Sequence, residues 1–255
     1  MTMTSPAAAN PSGLPARPWP YRFIKKMRGR LDRVIARSSL VPNDPVLDST
    51  DFPWTATLEA NWEAIRDEAA TLLPRIEEVP PLRSVSPDHR RIATTDLWKS
   101  FFLYGYGYRL DDNCARCPRT ADLASRIPGL NSAFFSILLP GMHIKAHRGP
   151  TKGLLTCHLG LMIPDGCRMH LADSTIHWRE GECIVWDDTY RHEVWHEGAT
   201  PRVILLVQVE RPLRAPGKQV ADLFLAGIRR SPFVQEGKRN MAAWERAMKV
   251  GEREA

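Results

Sequence analysis

At 255 residues, 43% hydrophobic and 25% charged, the chain carries enough apolar material for one sizeable core, which excludes a disordered or low-complexity protein as a whole. Its longest apolar runs, such as 203–207, fall far short of the ~18 residues that a spanning helix needs. The first 15 residues lack a basic region followed by an apolar one, so no secretory signal is expected and a cytoplasmic location follows.

Residues 1–16 are rich in Ser, Ala, Pro and Gly and are expected to be disordered. Residues 17–38 change character sharply. Eight Arg and Lys face one acid, Asp32, between Arg17 and Arg37, a net of +7 against +6 for the whole chain, so the basic character is local. Ile24, Met27, Leu31, Val34 and Ile35 recur at three- and four-residue steps, which predicts a basic amphipathic helix. Such a helix either lies on an anionic membrane, here the inner membrane surface, or docks its stripe on the protein and leaves the arginines in water. No nucleic-acid reading module accompanies the charge, so nucleic acid is not an expected partner.

Residues 42–53 form an extended lead-in, and 57–73 a helix with Leu58, Trp62, Ile65, Ala69 and Leu72 on one face, capped by Thr57 and ended by Pro74. After a polar stretch, 97–104 is rich in strand formers, and 119–127 is a short helix stopped by Pro128-Gly129. The segments near 133–139, 143–146, 154–163, 167–173, 182–186 and 202–209 are short, β-rich and separated by turn signals, which predicts a barrel or jelly roll. Beyond Arg211 the period returns to that of helices: Val220, Leu223, Phe224 and Ile228 mark one, Met241, Trp244 and Met248 another, with Ser231-Pro232 between. The expected organisation is therefore one domain at 46–230 with its β core at about 133–211, and a helical tail at 231–255.

Five cysteines do not suggest a disulfide framework, and Cys114-Ala-Arg-Cys117 lacks the second ligand pair of a structural zinc. Both read as ordinary loop cysteines, with a local disulfide as the alternative in an oxidising setting. Of eight histidines, any one taken alone is better read as a surface or satisfied core residue. His147 and His192 stand out because each sits in a specific run, His147-Arg-Gly-Pro-Thr151 and Asp187-Asp-Thr-Tyr-Arg-His192-Glu-Val-Trp195. Imidazoles from two strands can form two legs of an open metal site.

These two runs, together with Cys157-His158-Leu-Gly-Leu-Met-Ile-Pro164, Trp178-Arg-Glu-Gly181-Glu and Arg202 ahead of an apolar strand, occur in an order that resembles the aspartyl/asparaginyl β-hydroxylase family. The resemblance spans roughly 135–212, with a weaker block at 58–66. It implies a mainly β, double-stranded β-helix fold with flanking N- and C-terminal helices. It also implies iron(II)- and 2-oxoglutarate-dependent oxygenation of an unactivated C–H by dioxygen. Carried over residue by residue, His147 and His192 would ligate iron, Ser136 and Arg202 would take the distal carboxylate of 2-oxoglutarate, and His158 would help to hold that cosubstrate. An always-charged, two-donor guanidinium suits a dicarboxylate. The acid usually found two residues after the first histidine is replaced by Gly149, as expected for a family working with two histidines and water, and Asp187 and Asp188 would orient His192 or a metal-bound water.

Many members carry an arginine two residues before the histidine of the His-Leu-Gly-Leu block, where it can meet a substrate carboxylate. This chain has Thr156 there. That departure and the basic segment favour a fatty acyl chain of a bacterial membrane lipid, such as ornithine lipid or lipid A, over an Asp or Asn residue or a small amino acid. A non-catalytic barrel binding protein and a cupin-like hydrolase or isomerase are the remaining alternatives.

Overall fold

The computed structural model describes residues 19–254, so the expected disorder of residues 1–16 lies outside the described residues. Its centre is a pair of antiparallel sheets. The larger contains β1 (Val46–Leu47), β2 (Trp98–Gly105), β3 (Tyr108–Arg109), β4 (Leu130–Leu138), β6 (Leu154–Met162), β9 (Cys183–Trp186) and β11 (Arg202–Glu210), in the order β1-β9-β6-β11-β4-β2-β3. The smaller contains β5 (His143–His147), β7 (Cys167–Leu171), β8 (Ser174–Ile176) and β10 (His192–His196), in the order β5-β10-β7-β8. Counted from β4 as first, the eight core strands lie 6-3-8-1 in one sheet and 2-7-4-5 in the other. Successive strands thus alternate between sheets for most of the path, which is the jelly-roll winding of a double-stranded β-helix.

The period of two along each strand separates two environments. On β6, Leu155, Cys157, Leu159 and Leu161 join an apolar cluster on the outer side of the large sheet. On β11, Val203, Leu205, Val207 and Val209 join the same cluster. Their neighbours Thr156, His158, Arg202, Leu206 and Gln208 face inward and line a cavity between the sheets. Gly160 on β6 is required by a close crossing, because a Cβ there would stand 2.1 Å from the carbonyl oxygen of Arg179.

Helices cover the outer cluster. The single helix expected over 57–73 is two, α2 (Trp54–Glu59) and α3 (Trp62–Ala70). Asn61 has non-helical φ/ψ, its side-chain amide donates to the carbonyl of Thr57 at 2.7 Å, and Arg119 holds its other end. Thr57 is therefore interior to α2 and caps nothing, yet Leu58, Ile65, Ala69 and Leu72 are buried on the expected face. The polar stretch after Pro80-Pro81 contains the short α4 (Leu82–Val85) and a 3-10 turn. Cys114 lies in α5 (Asp111–Arg116) and Cys117 between it and α6 (Pro118–Ser125), in helical surroundings where loops were expected. All five cysteines are buried and free, and burial pushes the Cys117 thiol up to about 12.

The basic helix, α1 (Trp19–Arg37), docks its described stripe on the protein: Ile35 is fully buried, and Leu31 and Val34 are half-buried. Asp32 accepts from the backbone N–H of Lys152, and Arg28 donates to the carbonyl of Gly149. Arg30, Arg33 and Arg37 remain exposed. Thus the face that α1 offers outward in its described part is charged. After β11, α7 (Gly217–Arg229) packs on α1 and closes one side of the cavity, and α8 (Pro232–Glu254) runs against α4 and α5. Among the described residues no helix is long and apolar enough to cross a membrane.

Candidate active site

The cavity has a volume of about 1060 Å3. His147 and His192 are register partners on β5 and β10, and their rings lie 4.0 Å apart between centroids. Each Nδ1 is 2.8–2.9 Å from a backbone carbonyl two residues earlier, Lys145 for His147 and Tyr190 for His192. A carbonyl can only accept, so each Nδ1 carries the proton and each Nε2 presents its lone pair. Burial and the neighbouring imidazole depress the pKa of His192 to about 3, and burial also lowers that of His147, which keeps both rings neutral and able to ligate. Among the described residues there is no cluster of three or more His, Cys, Asp or Glu arranged for a metal. A metal ion here would take two nitrogen ligands and keep its other positions open.

Gly149 shows where the missing acid has gone. A Cβ at residue 149 would sit 1.9 Å from Oδ1 of Asp188, so the Asp188 carboxylate fills the space in which a side chain from 149 would begin. The backbone N–H of Gly149 donates to the Asp188 carbonyl at 2.6 Å, which locks the two segments together. Burial, reinforced by the neighbouring Asp187, pushes the Asp188 carboxyl up to about 7, and its Oδ1 is buried without a protein partner among the described residues. Asp187 has a different task. It accepts from Arg211, from Lys152 at 2.7 Å and from Thr189, a buried ion pair that pins the loop ahead of His192. The orientation of the His192 ring comes from the Tyr190 carbonyl, and Asp188 stands beside Gly149 with its Oδ1 unused.

A second group of side chains forms a seat for an anion. Arg202 is 2% exposed, and its Nε and Nη1 lack partners among the described residues. Its guanidinium carbon lies 4.6 Å over the Trp178 ring. Burial lowers its pKa to about 10, which still leaves it cationic near neutrality. The indole N–H of Trp178 donates to Nδ1 of His158 at 3.2 Å. Because indole only donates, neutral His158 must carry its proton on Nε2, and that buried donor also lacks a partner. Ser136 accepts from the Trp98 indole at 3.0 Å, leaving its own hydroxyl proton to give. Buried donors left unpaired are rare and costly. A charged one with two idle N–H groups, beside an imidazole N–H and a hydroxyl, has the chemistry of a carboxylate receptor.

All five expected site residues, Ser136, His147, His158, His192 and Arg202, line this one cavity. Sequence reasoning missed the orienting part of two tryptophans, Trp98 and Trp178, although Trp178 opens one of the runs that carry the family resemblance. It also missed the far walls: Leu82, His89 and Ile92 from the polar stretch, and Val220, Phe224 and Ile228 from α7. The apolar stripe of α7 was visible, but nothing local says that it faces a cavity.

Fold and site together give a jelly-roll barrel whose one cavity holds a pair of neutral histidines and a buried guanidinium with unused donors. The chain belongs to the aspartyl/asparaginyl beta-hydroxylase family, whose model matches residues 59–212. It is 39% identical over 88% of its length to the ornithine lipid ester-linked acyl 2-hydroxylase of Rhizobium tropici, covering 81% of that protein. It is 32% identical over 63% of its length to the aspartyl/asparaginyl beta-hydroxylase of Homo sapiens, of which it spans only 21%. Among solved structures, a Pseudomonas putida prolyl-4-hydroxylase aligns with 59% of the chain and 87% of its own at 19% identity and a TM-score of 0.36.

Proposed function

We propose that the protein is an iron(II)- and 2-oxoglutarate-dependent dioxygenase that hydroxylates a fatty acyl chain of a bacterial membrane lipid of the ornithine lipid or lipid A type, within a hydroxylase domain at 46–230. The observation that carries the cofactor reading is Arg202: a buried cation with two idle donors, in the same cavity as two neutral imidazoles with inward lone pairs. His147 and His192 would hold the iron, and Arg202, Ser136 and His158 would hold 2-oxoglutarate. Iron(II) bound with 2-oxoglutarate and dioxygen supplies the oxidant for an unactivated C–H, with succinate and carbon dioxide as coproducts. The chain's own residues bind and orient. Arg202 fixes one end of the cosubstrate, Trp178 holds Arg202 and His158 in place, and Asp188 offers an acceptor beside Gly149 that can hold a proton near neutral pH.

The substrate reading rests on the cavity walls and on the Rhizobium relative. Phe102, Phe134, Ile144, Leu206, Val220, Phe224 and Ile228 give the cavity of about 1060 Å3 apolar walls of the kind that suit an acyl segment. The exposed members of the lining, Arg91, Arg148, Pro150, Arg191, Leu223 and Gly227, form its rim. Leu223 is 77% exposed. A rim of three arginines with one protruding leucine, next to the charged face of α1, suits peripheral contact with anionic lipid at the inner membrane surface.

Incubation of purified protein with iron(II), 2-oxoglutarate and ester-linked ornithine lipid in detergent micelles tests this directly. Mass spectrometry should find one oxygen added to an acyl chain, absent with His147→Ala. Turnover of an Asp- or Asn-containing peptide with no acyl product would move the substrate to the side of the human relative.

A further inference from the structure

A row of uncharged polar residues in the cavity has no part in the roles above. Ser132 on β4 and Thr156 on β6 are both register partners of Gln208 on β11, so the three stand side by side across adjacent strands, and all line the cavity. The next row contains Phe134, Leu206 and His158. Arg202 lies six residues along β11, roughly 20 Å at the rise of a strand, so the polar row is remote from that guanidinium, while His158 of the same seat stands in the adjacent row. It is nonetheless close to the histidines: Trp186, the register partner of Thr156 on β9, packs edge-on against the His192 ring at 4.6 Å.

Hydrogen bonding fixes which atoms this row offers. Arg229 donates through Nη2 to Oδ1 of Asn131 at 3.3 Å, and a guanidinium can only donate. The amide of Asn131 is thereby oriented, and its Nδ2 donates to Oε1 of Gln208 at 2.8 Å. With its oxygen taken, Gln208 must turn its NH2 toward the cavity, where it has no partner among the described residues. Ser132 accepts from the backbone N–H of Tyr106 at 3.1 Å and from Nδ2 of Asn131 at 3.4 Å, so its oxygen is engaged and it keeps only its hydroxyl proton to give. Thr156, 3% exposed, contributes a hydroxyl with no partner among the described residues. What remains is an uncharged row of donors, Gln208 Nε2 and Thr156 Oγ1 with the Ser132 hydroxyl proton beside them, one row from the reaction centre.

We propose that Gln208 and Thr156 form the subsite for the carbonyl oxygen of the ester or amide that joins the acyl chain to the rest of the substrate. The assignment rests on the acyl-hydroxylase reading above. Neutral donors match a neutral acceptor, whereas a carboxylate there would need a cation, and the charge of Arg229 is directed at Asn131 and Glu210. Anchoring the carbonyl beside the histidine pair measures the hydroxylated carbon from the carbonyl and not from the methyl end of the chain. Arg229 and Asn131 act as positioning residues, through the orientation of Gln208.

The test uses full-length protein with iron(II), 2-oxoglutarate and ester-linked ornithine lipid in micelles. It compares wild type with Gln208→Glu, which keeps the shape and replaces the donor, and with the isosteric Thr156→Val, which leaves the fold intact if the first does not. Gln208→Glu should raise the KM for lipid at least about tenfold, the size of one lost hydrogen bond of ~1.4 kcal/mol. It should also uncouple 2-oxoglutarate consumption from hydroxylation and scatter the hydroxyl over neighbouring carbons, with the KM for 2-oxoglutarate unchanged. Thr156→Val should move the same readouts less, and Asn131→Asp should uncouple turnover without touching the substrate. Wild-type lipid KM, coupling and regiochemistry in both Gln208→Glu and Thr156→Val would overturn the subsite and leave the acyl reading standing. Failure of wild type to hydroxylate any acyl lipid would overturn that reading, and the subsite with it.

Discussion

The two faces of the large sheet are built from the same strands and obey opposite rules. On the outer face, Leu155, Leu159, Leu205 and Val207 are fully buried among apolar neighbours and carry no polar side-chain atom to satisfy. At inward-facing positions of the same strands, Arg202 and His158 are also almost fully buried, yet they hold unpaired donors among the described residues and line the cavity. Burial alone therefore does not distinguish core from site in this molecule. What distinguishes them is whether the polar valence of the buried atom is used.

Four experiments can break or sharpen that contrast. The largest effect is expected for His192→Ala and His147→Ala, which should reduce hydroxylation to background with little change in the melting temperature of metal-free protein. Retained activity would remove the histidine pair from the chemistry. Next, Leu205→Ala on the outer face should cost about 2–5 kcal/mol of stability in denaturant unfolding, with unchanged KM values at a temperature where it remains folded. Arg202→Met, only three residues away, should do the reverse. It should raise the KM for 2-oxoglutarate on the order of a hundredfold while leaving metal-free stability equal or higher, because it removes a buried charge that no protein group compensates. A loss of stability like that of Leu205→Ala would show that Arg202 belongs to the packing.

The smallest effect expected is a pH dependence of metal-free stability. Burial holds His89 at about 4 and His192 at about 3 in the folded chain, against 6.5 when exposed. Between those values the unfolded chain binds more protons, so stability should fall as pH drops from about 6.5 toward 4. Asp188 opposes this, being protonated up to about 7 when folded and only to about 3.8 when unfolded, so its contribution is present at low pH and lost as pH rises toward 7. Melting temperatures across this range should decline on acidification, and more steeply in Asp188→Asn. A flat profile in both proteins would contradict the buried, neutral state of these rings.

The strands were more legible than what they enclose. Short β-rich segments between turn signals lead to a barrel or jelly roll, whereas the unbroken apolar run 203–207 does not by itself say which of its residues face the cavity. His147, His192, His158, Ser136 and Arg202 could be named because each sits in a run that resembles a family, and the cavity does contain all of them. Gln208, by contrast, sits in an apolar strand with no motif around it. Its significance depends on Thr156, Asn131 and Arg229, which are brought to it by three other elements. The same holds for the break between α2 and α3, which depends on Arg119 reaching Asn61 across 58 residues. Short-range pattern shows which element a residue belongs to. Long-range pairing decides what that residue meets there.

The crowding of Gly149 by Asp188 makes the two positions one steric unit. A Gly149→Asp substitution alone does not build a third ligand, because the new side chain would start inside an existing carboxylate. Asp188→Gly vacates that space, so the paired exchange Gly149→Asp with Asp188→Gly is the sterically open route to a carboxylate at 149. Anyone redesigning the centre must therefore treat the two residues as a single choice.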